Sequence, residues 1–499
     1  MMNDQEKIAS QETRKELNDV LGFSIQQSTS FLEDLLAKKK VLKGVAVTRE
    51  IEAHNAFVDF FIFLNYVTIE LSSITRSCLR AEIPAEKQYH LKFINCIILE
   101  IYKNLYGYGK SVKRSLWKKN IEPLCNIIND PQFLADFETI ETQIIKFGDS
   151  NITDNNKRVI GTHYDLDPIV IDKMLRELNE YDETQRALAF LPLLCELFSF
   201  SHKYIRFFYR ENFVDSRFPE GVPHSLSSRK SINYLNKYLI SKLDEYIIQN
   251  KKGYDRSIHS QKWIQQHAIQ EKDNPSFEPL LLTLKILKVQ SFMDLLIMDL
   301  AAAKKAYFMA EYSIEKHLCL KHINTIIYEG FKKLYGLDNN DETYWNSYIL
   351  PIENKIKSDS SRRLLMQLDQ KLQMLRPTIK GLGEQRHLSV HLKEGVEKIC
   401  AMLVNLKPVI EFQKQQDFIN TIMQIFVQSV DILKLIEKQL TEDSKESRIE
   451  TIQKAEKVLG LLENSPDCPG KDETIKTVQQ IISGEFFENI MKKSGVKGS

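Results

Sequence analysis

One stretch of this chain is written twice, and that repetition constrains the fold more than any other feature. Leu91 to Gly107 aligns with Leu320 to Gly336 at an offset of 229 residues. Leu91/Leu320, Lys92/Lys321, Ile94/Ile323, Asn95/Asn324, Ile97/Ile326, Ile98/Ile327, Glu100/Glu329, Lys103/Lys332, Leu105/Leu334, Tyr106/Tyr335 and Gly107/Gly336 are identical. One residue is then lost. An offset of 228 carries Trp117/Trp345, Ile121/Ile349, Pro123/Pro351, Arg158/Arg386, His163/His391, Ile171/Ile399, Met174/Met402, Leu175/Leu403 and Leu178/Leu406. Self-similarity held over this distance reads as an internal duplication, so the fold has to be one that two like units can build.

The periodicity inside the repeated blocks predicts helices. Ile171, Met174, Leu175 and Leu178 run i, i+3, i+4, i+7, and their mates at 399, 402, 403 and 406 keep the stripe. Strand architecture has little punctuation here, with 18 Gly and 14 Pro in 499 residues. The fold class expected is therefore all-α, two duplicated helical bundles related by a pseudo-twofold, with a helical linker and a helical tail. Residues 1–47 read as an amphipathic helix and 48–212 as the first repeat. Residues 213–277 read as a linker carrying helices near 229–250 and 258–270, 278–440 as the second repeat, and 441–499 as a charged, helical tail. Asp167-Pro168 predicts a helix start, with Asp as N-cap and Pro at the first helical position.

Several classes of function find no support. A net charge of +1 leaves no basic excess for nucleic acid in the totals, so any RNA has to be gripped locally. The seven Cys are scattered without metal-finger spacing, which reads as reduced thiols in a cytoplasm. The apolar runs 57–71 and 188–200 are interrupted by polar residues short of the ~20 a bilayer span needs, so both are expected as buried core helices and no membrane partner is expected. No phosphate loop, nucleophile elbow or metal-ligand cluster appears, and no cofactor is expected.

What remains is a short polar motif at the same place in both halves, Arg158-x4-His163 and Arg386-x4-His391. The bare pattern also occurs at Arg49 and His54, without a counterpart, and is expected there to be a solvated helix surface. Two helical units, each with Arg-x4-His at the head of a core helix, resemble the HEPN superfamily. The resemblance covers both repeats, about two thirds of the chain. It implies bundles that pair with their motifs facing one another, and in many members a metal-independent endoribonuclease. The residue types suit that chemistry. A His with an ordinary pKa near ~6.5 exchanges protons at neutral pH, and Arg holds the scissile phosphate and the charge that builds on it.

Arg158, His163, Arg386 and His391 are therefore the expected catalytic set. The resemblance also implies Glu100 and Glu329 as orienters of Arg or His, with Asn95, Asn324 and His387 in support. A solvated or hydrogen-bonding edge is the plainer reading of Asn95 and Glu100. His387 supplies the polar residue that often follows the Arg in this family, whereas Val159 does not, which predicts unequal halves. Lys110, Arg114, Lys118 and Lys119, interleaved with Tyr106, Tyr108 and Trp117, could track an RNA backbone or could be a solvated face. Trp117 and Trp345 are expected in the core. Such nucleases tend to be toxins or defence factors held by an inhibitory or activating protein partner. The competing expectation is a catalytically silent scaffold that binds RNA or a protein partner.

Overall fold

The structure is a computed structural model that describes the chain apart from residues 1–3, 43–48, 108–111, 114, 129, 153–163, 166, 211–235, 269–277, 339–340, 354–358, 384–385, 387–395, 464–474, 477, 481–482 and 484–499. It is all-α, with no strand among the described residues. The longer helices are α1 (Asp4–Leu42), α2 (Arg49–Arg80), α3 (Pro84–Leu105), α4 (Pro131–Asn151), α5 (Pro168–Arg176), α6 (Glu180–Arg210), α7 (Asn236–Ala268), α8 (Glu278–Met309), α9 (Ser313–Leu334), α10 (Asp359–Lys380), α11 (Val396–Asn405) and α12 (Pro408–Glu463).

Order and length recur along the chain. α2 and α8 each have 32 residues, and α3 and α9 each have 22. A five-residue π-helical turn follows at Trp117–Ile121 and again at Trp345–Ile349. The repeated Tyr-Gly has a backbone cause. Gly107 (φ +83°) and Gly336 (φ +87°) sit in the left-handed region just past α3 and α9, donating to Tyr102 O and Phe331 O at 3.1 and 3.3 Å. A side chain is strained in that conformation, and glycine is the residue that ends helices this way.

The expected start at Asp167-Pro168 is present. Asp167 accepts from Ile169 N at 3.1 Å and Pro168 opens α5. The linker differs from expectation, because α7 is one unbroken helix across Gly253. That glycine is a point of close approach. A Cβ there would lie 2.8 Å from the Asp294 carboxylate of α8, so its absence lets the two helices pack tightly. The second difference is at residue 441, where α12 continues as a helix without a break.

The segments outside the expected repeats also correspond. α1 packs on α2 as α7 packs on α8. Buried Ile25, Ser28, Thr29, Leu32 and Leu35 match buried Tyr254, Ser257, Ile258, Gln261 and Ile264 at the offset of 229. Of these five pairs only Ser28/Ser257 is identical, while all ten positions are buried.

Between the halves, charges are exchanged. Lys92 of α3 pairs with Asp299 of α8, while Lys321 of α9 pairs with Glu70 of α2. Lys92/Lys321 and Glu70/Asp299 are mates at 229. Arg76 reaches Glu315 at 2.8 Å, and Lys305 reaches Glu86 at 2.8 Å, again with both members mates at 229. Phe93 and its mate His322 pack against each other with tilted rings, centroids 5.0 Å apart. Contacts are thus exchanged between positions matched at 229. Charges this deeply buried have to be paired, which is why they occur as partners. The stretch from Ile51 to Arg80 is long and apolar enough to cross a membrane by length and composition, but 94% of its apolar window is buried inside the protein.

Asp294 breaks the match, because its mate is Asn65, whose Nδ2 donates to Phe61 O at 2.8 Å. Asp294 is 2% exposed, and burial pushes its carboxyl up to about 8, with Arg256 pulling weakly the other way. A carboxyl whose folded pKa is raised holds its proton where the unfolded chain has released it. Stability from this group is fully present below about pH 4 and is lost as pH rises through about 8. Asp294→Asn supplies the neutral group at every pH, so it is expected to flatten that slope and to stabilise by several kcal/mol near pH 8. Urea midpoints measured across that range check this, and a slope unchanged in the variant would contradict it.

Candidate functional site

Arg386 is the one member of the four-residue catalytic set inside the described residues. Arg158, His163 and His391 lie outside them, as does the separation of the two His side chains. Arg386 follows α10 in a turn where its N–H donates to Leu382 O at 2.8 Å. Its guanidinium pairs with Glu329 of α9 and lies over the Tyr328 ring, 5.9 Å from the centroid. Gly383 makes room for that ring, since a Cβ would stand 3.3 Å from Tyr328. The Arg386 side chain is 17% exposed and that of Glu329 6%, so the carboxylate is committed to its partner and the cation keeps an open edge. Glu329 is thus the ion-pair partner of the motif arginine. In the first half Glu100 is buried at the matching place on α3, with Lys103 Nζ at 3.9 Å.

The residues just after the first motif are fastened to the second half. The Tyr164 hydroxyl donates to Asp299 at 2.7 Å, on the same carboxylate oxygen that Lys92 takes, and its ring stands edge-on to Phe292 at 5.4 Å. Burial, then the Asp299 charge, holds the Tyr164 hydroxyl well above its ordinary range, so it stays a donor. Tyr344 donates to the Asp165 carbonyl at 2.8 Å. The helices that follow the motifs cross over in the same sense, with α5 packed on α8 and α11 packed on α2. Sequence reasoning missed Tyr164 and the exchanged carboxylates. Glu86 and Glu315 did carry a signal, since they are identical at 229 only five residues before the repeated block.

Asn95 and Asn324 have other work. Asn95 accepts from Arg186, which also pairs with Glu183 at 2.9 Å, and Asn324 donates to Glu411 at 2.7 Å, which pairs with Lys414 at 3.1 Å. Glu183/Glu411 and Arg186/Lys414 are mates at 228. Both asparagines therefore tie α3 and α9 to the helix at the end of their own half, which is the hydrogen-bonding edge. His387, Lys110 and Arg114 lie outside the described residues.

Two expectations are corrected. Lys118 is not a free phosphate binder, because it bridges Glu122 and Glu141 at 2.9 and 2.8 Å, with its pKa held up by those carboxylates against some burial. Trp117 is fully buried, stacked on Phe137 at 4.9 Å, and offers no face to a base, while Lys119 is exposed. His54 is 4% exposed, with its pKa pushed down to about 4 by burial and by Lys38, so it is no solvated surface. Its helix face meets α1, which the isolated pattern could not reveal.

Among the described residues no group of three or more His, Cys, Asp or Glu side chains is arranged to hold a metal ion. Searches against protein-family models, curated proteins and solved structures found no match to this chain.

Proposed function

We propose that the chain is two fused HEPN-like units paired about a pseudo-twofold, forming one composite, metal-independent endoribonuclease site from Arg158, His163, Arg386 and His391, in the cytoplasm and in a toxin or defence role. The observation that carries this reading is the crossing of the segments that follow the motifs. Tyr164, next to His163, is bonded to Asp299 of the other half, and α11, just after His391, packs on α2. The segments that follow the two motifs thereby both pack against the opposite half, which supports a composite site.

Chemistry follows from the residue types. In-line transesterification needs a base at the 2'-hydroxyl and an acid at the 5'-oxygen, which one His serves poorly and two opposed His serve well. Arg386, held by Glu329 with an open edge, is suited to the phosphate charge that grows in the transition state.

Incubating the purified protein with total RNA in EDTA tests this. Cleavage is expected to persist and to leave 2',3'-cyclic phosphate and 5'-hydroxyl ends, because the 2'-hydroxyl is the nucleophile. Ends bearing 5'-phosphate, or activity lost to EDTA, would point to a different mechanism. If wild type cuts no RNA offered, the silent scaffold takes its place.

A further inference from the structure

The helix that leads into each motif has opposite charge in the two halves. α4 carries Asp136, Glu138, Glu141 and Asp149 against Lys146, a formal charge of −3. Its counterpart α10 carries Arg362, Arg363, Lys371, Arg376 and Lys380 against Asp359 and Asp369, a formal charge of +3. The acidic helix neutralises its own neighbours: Asp136 takes Lys203, and Glu141 takes Lys118. That takes Lys118 out of the expected basic face of the first half.

On α10 the cations are ordered. At 3.6 residues per turn, Arg362 and Lys380 share one azimuth and Arg376 stands ~40° from it, so the three form one edge beside the buried stripe of Leu365, Leu368 and Leu372. Lys371 lies on the opposite flank, bonded to Gln424 at 2.7 Å. The acid on the cationic edge, Asp369, is occupied by the Tyr335 hydroxyl at 2.6 Å and by Gln373 at 2.7 Å. The Arg376 guanidinium lies over the Tyr335 ring, 4.9 Å from its centroid. Lys380 meets Asp338 at 3.2 Å, but both side chains are mostly exposed, and such pairs hold weakly enough for a phosphate to replace the carboxylate. Beyond Lys380 the chain turns at Gly381 and Gly383 and arrives at Arg386.

We propose that this edge, Arg362, Arg376 and Lys380, is the track along which single-stranded RNA reaches Arg386, so that the incoming strand is gripped by the second half. The proposal rests on the ribonuclease reading for its end point but concerns binding. A row of guanidinium and ammonium groups leading to the motif arginine fits a polyanionic backbone, and each phosphate neutralised releases counterions.

The test measures binding of a labelled, unstructured single-stranded RNA in EDTA to the full chain carrying His391→Ala, between about 50 and 200 mM salt. Arg362→Glu/Lys380→Glu is expected to weaken binding about 10- to 100-fold and to lower the salt slope by about 1.4, two contacts at about 0.7 each. Lys371→Glu, on the wrong flank, is expected to change binding less than about threefold, the effect of general charge alone. Equal loss in both variants, loss in neither, or tighter binding of duplex than of single strand overturns the proposal. Both variants change exposed side chains, and an unchanged Tm shows that they fold. Cleavage by wild type is scored separately. RNA that is cut but bound equally by Arg362→Glu/Lys380→Glu sinks the track and leaves the nuclease, whereas RNA bound along the edge but never cut does the reverse.

Discussion

Lys92→Met is expected to destabilise the protein by about 3–5 kcal/mol in urea unfolding, because it leaves Asp299 charged and buried without its main cation. The side chains of Lys92 and Asp299 are each 3% exposed, so water cannot take the place of either partner. Tyr164 would still donate to Asp299, which moderates the loss but cannot supply a charge. Lys321→Met should behave alike, stranding Glu70, whose pKa, despite burial, is drawn down to about 2 by Lys321 and His322. Replacing both members, as in Lys92→Met/Asp299→Leu, should recover most of the loss, since an apolar pair of similar volume often equals a buried ion pair. Lys380→Met offers the contrast: its pair with Asp338 is exposed, and a cost below about 1 kcal/mol is expected. A Lys92→Met cost as small as that of Lys380→Met would mean that the halves do not depend on the exchanged charges.

These exchanged pairs also mark the limit of what the sequence discloses. Local rules were legible. Asp167-Pro168 opened a helix as its cap chemistry requires, and the Ile171, Met174, Leu175 stripe is the face that α5 turns inward. The two linker helices expected near 229–250 and 258–270 are one helix across Gly253, since a glycine inside a helical pattern can also mark a close neighbour, here Asp294. Lys92 and Asp299 are 207 residues apart, and nothing local says that one lysine of a repeated block reaches into the opposite half. The match of buried positions between α1 and α7 was hidden for another reason, since Ile25 and Tyr254, or Leu32 and Gln261, share burial without sharing residue type. At the site, a polar residue shared by both halves was ambiguous by itself. Glu329 turned out to hold the motif arginine and Asn324 to hold a helix end, and the same helix carries both.

His391→Ala and His163→Ala are each expected to lower RNA cleavage by about 10²- to 10⁴-fold, and the double variant to be little worse than either. The reason is division of labour. If one imidazole removes the 2'-hydroxyl proton and the other protonates the leaving oxygen, the loss of either stalls the same displacement, and the second loss finds nothing left to remove. The halves are built unequally around this step. Arg386 sits on Glu329 at the end of a helix of charge +3, whereas the matching helix of the first half has charge −3. Loss at His391 should therefore be the more severe of the two, because the phosphate is held on that side. Rates on a single RNA, read with the ends produced, separate the alternatives. Full activity in His163→Ala beside a dead His391→Ala would make the first motif structural and the site single. Full activity in both would remove the two-histidine displacement, since neither imidazole would then move the proton on which the reaction depends.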